Sequence, residues 1–146
     1  MLFRSRFLIG PKAIVLAGSL APTSLPIAVE GIQLDQKATS LSLLVTCGFT
    51  VPSGAQVATL RVHYADGQSL EAPLHYNRQL RAFYHNRSTL SSPQVWQGAT
   101  PGGQPLGLSN WTWANPRPEE PLASVDFLST GTGACPALVA LTGLTD

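Results

Sequence analysis

The chain has 146 residues, 44% of them hydrophobic and only 12% charged, with a formal net charge of +1. That length suits one domain with a single core, and the low charge excludes a self-repelling disordered chain. The nine Lys and Arg do not cluster, so nothing attracts nucleic acid or an acidic membrane surface, and no apolar run approaches the ~20 residues of a membrane-spanning helix.

Thirteen Gly and twelve Pro cut the chain into short pieces, which favours turns and short strands over long helices. At the N-terminus Arg4, Arg6 and Lys12 precede the apolar run 13–16, which imitates a secretory signal. Gly10-Pro11-Lys12 interrupts that pattern. The expectation is therefore a strand in AIVLAG (13–18), with residues 1–10 as a loosely packed arm. SLAPTSLPIAVEG is loop-like, with a short strand at 27–29. TSLSLLVTCGF (39–49) has the length and composition of a strand, and VPSG (51–54) is a turn.

The clearest signal is QVATLRVHYADGQSLEAPLHY (56–76). Ala58, Leu60, Val62 and Tyr64 share one face; Val57, Thr59, Arg61 and His63 share the other. Asp66-Gly67 tolerates positive φ and lets the chain turn back, so this is a β-hairpin. NRQLRAFYHNRS (77–88) has the length for one or two helical turns. PQVWQG (93–98) and PLGLSNWTWAN (105–115) read as strands around the turn ATPGGQ, and LASVDFLST (122–130) and PALVALTGL (136–144) as two more. About eight strands with almost no helix predict an all-β domain, a two-sheet antiparallel sandwich or jelly roll spanning 1–146.

Several stretches are similar to a galactose-binding-like jelly-roll module found in environmental bacteria, often as a domain of larger glycoside hydrolases and envelope proteins. They are Tyr64-Ala65-Asp66-Gly67, Pro73-Leu74-His75-Tyr76, Phe83-Tyr84, Trp113-Ala114-Asn115-Pro116-Arg117-Pro118 and Ser124-Val125-Asp126-Phe127, with AIVLAG and VEGIQLDQKATSLSLLVTC upstream. The resemblance covers the chain from about residue 10. Three positions depart from the module's pattern. Asn77 stands where Gly is usual, and Asn also tolerates the left-handed region. Tyr84 replaces a typical Trp, and Cys47 an aromatic or His-rich stretch. The resemblance implies an accessory domain, extracellular or in the cell envelope if it serves a glycan-active protein.

The chemistry-bearing residues are few. Cys47 and Cys135 lack metal-type spacing and are expected as buried thiols, with a disulfide open only if their strands are neighbours. Of the three histidines, His63 and His75 share the outer face of the hairpin; a metal would need His85 as well. No pair of carboxylates suggests glycoside hydrolysis. Asp126 is out of phase with Val125 and Phe127 and so faces a sheet surface or bonds a neighbouring loop. STLSS (88–92) lacks a nucleophile elbow, and GTG (131–133) is a turn. Trp111 and Trp113, two apart, point to one face, where they are either a stacking platform for pyranose rings or core residues. Trp96 is expected in the core.

The leading expectation is a non-catalytic carbohydrate-binding or accessory module, with a polysaccharide or oligosaccharide as ligand. Trp111, Trp113, Tyr84, Arg78, Arg117 and Asn115 are its candidate contacts, by stacking and directed hydrogen bonds. No cofactor is called for, and a structural calcium is the one ion left open. The alternative is a structural protein that packs through sheet edges against identical copies or a host enzyme domain. A small His-dependent metalloenzyme is the third.

Overall fold

The computed structural model describes residues 13–20, 24–85, 88–89 and 91–145. Within them the protein is all-β, with nine strands: β1 Ile14–Val15, β2 Ala28–Gln36, β3 Ser40–Gly48, β4 Gln56–Tyr64, β5 Ser69–His75, β6 Gln94–Ala99, β7 Pro105–Ala114, β8 Leu122–Ser129 and β9 Cys135–Leu144. They form a five-stranded sheet in the order β1-β9-β3-β7-β6 and a four-stranded sheet in the order β2-β8-β4-β5. All pairings between strands are antiparallel. The pairs are nested: β1 with β9, β2 with β8, β3 with β7, and β4 with β5 at the centre. One long hairpin ribbon is thus wrapped into two facing layers, which is jelly-roll connectivity, with β6 added at an edge.

Alternation builds the core between the layers. Leu41, Leu43, Val45 and Cys47 of β3 face Leu60, Val62 and Tyr64 of β4 and Val125 and Phe127 of β8, all buried. The 56–76 hairpin forms as predicted, turning at Gly67 with φ 87°. Its return strand buries Ala72 and Leu74, while Leu70 at the strand start stays exposed. Asn77 adopts φ 65°, the left-handed conformation anticipated for it, and its Oδ1 accepts from Arg81 Nε at 2.8 Å.

Three expectations need correction. The stretch 77–88 makes no helix in its described part: Leu80 and Ala82 bridge to Tyr76 and Cys47, so this connection docks against the ends of β3 and β7 as extended chain. The strand in 27–29 is the start of a nine-residue strand. Register shifts at Val29/Ile32 and Gln33/Gln36, with Gly31 and Asp35 at positive φ, mark bulges that scramble its alternation and hid its continuation. Trp96 is not in the core. It lies on edge strand β6 and is 43% exposed, because an edge strand without a partner layer buries neither face. The arm expected over residues 1–10 lies outside the described residues.

Trp111 is 7% exposed and belongs to the core, whereas Trp96 does not. Trp111→Ala should therefore cost about 3–5 kcal/mol in chemical denaturation, and Trp96→Ala under about 0.5 kcal/mol, as for an exposed surface site.

Candidate functional site

The six candidate contacts do not converge. Trp111 and Trp113 sit on the inner face of β7, opposite Leu43 and Leu41 of β3. Trp111 is buried and Trp113 packs half-buried against the core, so Trp111 has no open ring face for a sugar. Asn115 and Arg117 lie at the end of the sandwich that carries the β4–β5 turn. Arg78 and Tyr84 lie at the opposite end, in the connection after β5. There Arg78 is exposed, and half-buried Tyr84 meets Phe83 and His85 edge-on.

Asn115 and Arg117 are occupied within the protein. Buried Asn115 accepts from Tyr64 Oη at 2.7 Å and from Arg117 N at 2.9 Å, and donates to Ala38 O at 2.7 Å. The Arg117 guanidinium stands 4.5 Å from the Tyr64 ring centroid and donates to Asp66 Oδ2 at 2.5 Å. That hydrogen bond holds the Asp66 carboxyl below its ordinary range, and burial pushes the Tyr64 phenol up. The Trp-x-Asn-Pro stretch is a corner post: it ties the end of β7 to the hairpin turn through groups that would otherwise be buried unpaired.

The open aromatic is Trp96. A Cβ built on Gly98 would lie 2.2 Å from the Cη2 atom of the Trp96 indole and 2.7 Å from its Cζ2. The six-membered ring thus fills the place of a side chain at 98 and rests on bare backbone, an arrangement only glycine permits. Leu108 is its cross-strand partner, and alternation puts Asn110 and Thr112 on the same outer face of β7. Ser42 Oγ donates to Asn110 Oδ1 at 2.6 Å, which leaves the two Nδ2 donors without a partner among the described residues. Thr112 is exposed. None of the five strands of this sheet carries a charged residue. Sequence reasoning missed this site because a short strand's own residues do not say whether it lies at a sheet edge; the signal available was the Trp-x-Gly spacing of one face.

The other sheet is the opposite. Its outer face carries Arg61 and His63 on β4, Glu71 and Ser69 on β5, and Asp126 on β8. Arg61 Nε and Nη2 donate to Glu71 Oε1 at 3.0 and 2.9 Å, and Arg61 Nη1 lies 3.9 Å from Asp126 Oδ2. His63 Nε2 is 2.7 Å from Asp126 Oδ2, and His63 Nδ1 is 2.9 Å from Ser69 Oγ. The Gly31 bulge turns its N–H onto Asp126 Oδ1 at 2.9 Å. Burial works to raise the Asp126 pKa, but the bonds from His63 and Gly31 and the charges of His63 and Arg61 outweigh it and hold the carboxyl below its ordinary range. The out-of-phase position of Asp126 pointed to a sheet surface or a loop; its pairing with His63 depended on strand order.

Among the described residues, no three His, Cys, Asp or Glu side chains come together to hold a metal ion. His63 spends both ring nitrogens on Ser69 and Asp126, and His85 Nδ1 faces Tyr76 Oη at 3.4 Å, so three imidazoles do not meet. Among the same residues no helix is long and apolar enough to cross a membrane. Cys47 and Cys135 lie on adjacent strands, both buried and both free. Burial, and secondarily Cys135, pushes the Cys47 thiol up to about 12. Fold and geometry define a two-sheet β-sandwich with one uncharged and one charged outer face. No protein-family model, curated protein or solved structure matches the chain.

Two measurements check this chemistry. Asp126 has a folded pKa below its unfolded value, so its stabilisation is complete above the unfolded value and is lost as pH falls through the folded one. Wild-type melting temperature should drop below about pH 4, and Asp126→Asn should show a smaller acid drop while losing about 1.5–3 kcal/mol at pH 7. A thiol reagent such as DTNB should find almost no reactive cysteine in the native protein and both after unfolding.

Proposed function

We propose that this protein is a carbohydrate-binding module whose ligand lies along β6 and β7 on the outer face of the five-stranded sheet. The observation that carries the reading is the half-exposed Trp96 indole held over Gly98. A flat ring fixed on a rigid strand stacks against the C–H face of a pyranose with little ordering cost. The Nδ2 donors of Asn110, without a partner among the described residues, and the hydroxyl of Thr112 continue along the same face, where they can meet sugar hydroxyls. With no charge in these five strands, the matching ligand is a neutral glycan rather than a uronic or sulfated one. The described residues of this face include no acid–base pair, which fits a ligand that is held there rather than cleaved.

The same edge favours a second reading, assembly through β6. Val95 is 50% exposed beside Trp96, and the strand sequence QVWQGA has no charge to deter edge pairing. A glycan array followed by calorimetry on soluble hits separates the two. For the first reading, a neutral polysaccharide binds, Trp96→Ala weakens it about tenfold or more, consistent with the stacking contribution of one ring, and affinity is unchanged between about 0.05 and 0.5 M salt, since no charged pair is screened. No binding to any glycan, with a concentration-dependent mass in light scattering that Trp96→Ala abolishes, establishes assembly instead.

A further inference from the structure

We propose that Ser69 is a nucleophile activated by His63 and positioned through Asp126, so that the β5 edge of the four-stranded sheet hydrolyses small acyl esters. This activity is separate from glycan binding, which uses the outer face of the other sheet.

The hydrogen-bond chain fixes the proton positions. An ionised Asp126 only accepts, so His63 Nε2 at 2.7 Å carries the ring proton and donates it. In the neutral ring Nδ1 is then bare, and the Ser69 hydroxyl 2.9 Å away donates to it. That is the tautomer a general base needs, with the two ring nitrogens in exchanged roles relative to the serine hydrolase pattern. Asp126 is buried and further held by Gly31 N–H, so it anchors the ring rigidly, while Ser69 itself is exposed to a substrate.

Strand geometry supplies the rest. Tyr64 N donates to Gln68 O at 2.8 Å, so in the antiparallel ladder His63 and Ser69 form the next, non-hydrogen-bonded pair. Side chains of such pairs approach most closely, which brings Oγ to Nδ1. The Ser69 N–H accordingly points away from β4, and β5 is the sheet edge, so this N–H has no strand partner among the described residues. Pro73, four residues on and in the same phase, is accommodated because its nitrogen also faces the open edge. The nucleophile's own N–H is thus the donor at hand for a developing oxyanion.

In the reaction Ser69 Oγ bonds to the ester carbonyl carbon while its proton moves to His63 Nδ1 and the carbonyl π pair moves onto oxygen. Collapse of that adduct breaks the bond to the alkoxide, which leaves as an alcohol with the proton from Nδ1. Water then attacks the acyl-Ser69, gives a proton to Nδ1, and the second collapse releases the acid and returns the proton to Ser69. Asp126 stays ionised throughout.

The test incubates folded full-length protein with a fluorophosphonate probe and, separately, with p-nitrophenyl acetate, and maps the labelled peptide by mass spectrometry. Ser69 should be the labelled residue. Ser69→Ala and His63→Gln should lower turnover by about a hundredfold, within the range of general-base catalysis. Ser124→Ala, the other serine beside His63, should not. Asp126→Asn, verified as folded by circular dichroism, should lower kcat and leave KM unchanged, a split that a purely structural role would not produce. Absence of labelling on wild-type protein, labelling elsewhere, or turnover equal in Ser69→Ala overturns the proposal.

Discussion

Close packing of two layers of inward side chains is the constraint on which the molecule rests. Leu41, Leu43 and Val45 from one sheet and Leu60, Val62, Val125 and Phe127 from the other are buried between them. Each of these positions is every second residue of its strand, so satisfying the core fixes which side chains face outward. The nested pairing then decides which outward side chains become neighbours. Charge segregates as a result: the five-stranded sheet has no charged residue in its strands, while the outer face of the four-stranded sheet gathers Arg61, His63, Glu71 and Asp126. The two faces are suited to different chemistry because one core produced both.

Buried polar groups follow a second rule, that each must find a partner. Asn115 meets it with Tyr64, Ala38 and Arg117 at the end of the sandwich and so becomes part of the frame. Asp126 meets it with a histidine whose other nitrogen still faces a serine at the surface. The difference decides which polar group is left with chemistry to do. Gly31 matters here because its bulge turns a backbone N–H toward the carboxylate; an unbulged strand would leave that oxygen with one partner fewer.

Aromatic residues divide the same way. Trp111 and Trp113 fall on the inner phase of β7, a strand flanked on both sides, and are drawn into the core. Trp96 falls on the outer face of an edge strand and keeps its ring surface. Its support on the Gly98 backbone holds the ring while the residue stays 43% exposed, which is the condition for a preformed stacking surface.

Period-two alternation and turn chemistry, both local properties, were legible in the residues alone. They established the all-β class, the 56–76 hairpin and the two apolar strands at the C-terminal end. They revealed only the start of β2, because two bulges broke the alternation of the rest, and not the non-helical course after Asn77, because that segment docks on the ends of β3 and β7 rather than obeying its own propensity. The candidate sites were further out of reach. Whether Trp96 is open depends on β6 lying at an edge, and whether Asp126 meets His63 depends on β8 lying beside β4, 63 residues away in the chain. Strand order is set by how the whole ribbon wraps to bury its apolar face, so it belongs to the tertiary structure and is written in no single stretch of sequence.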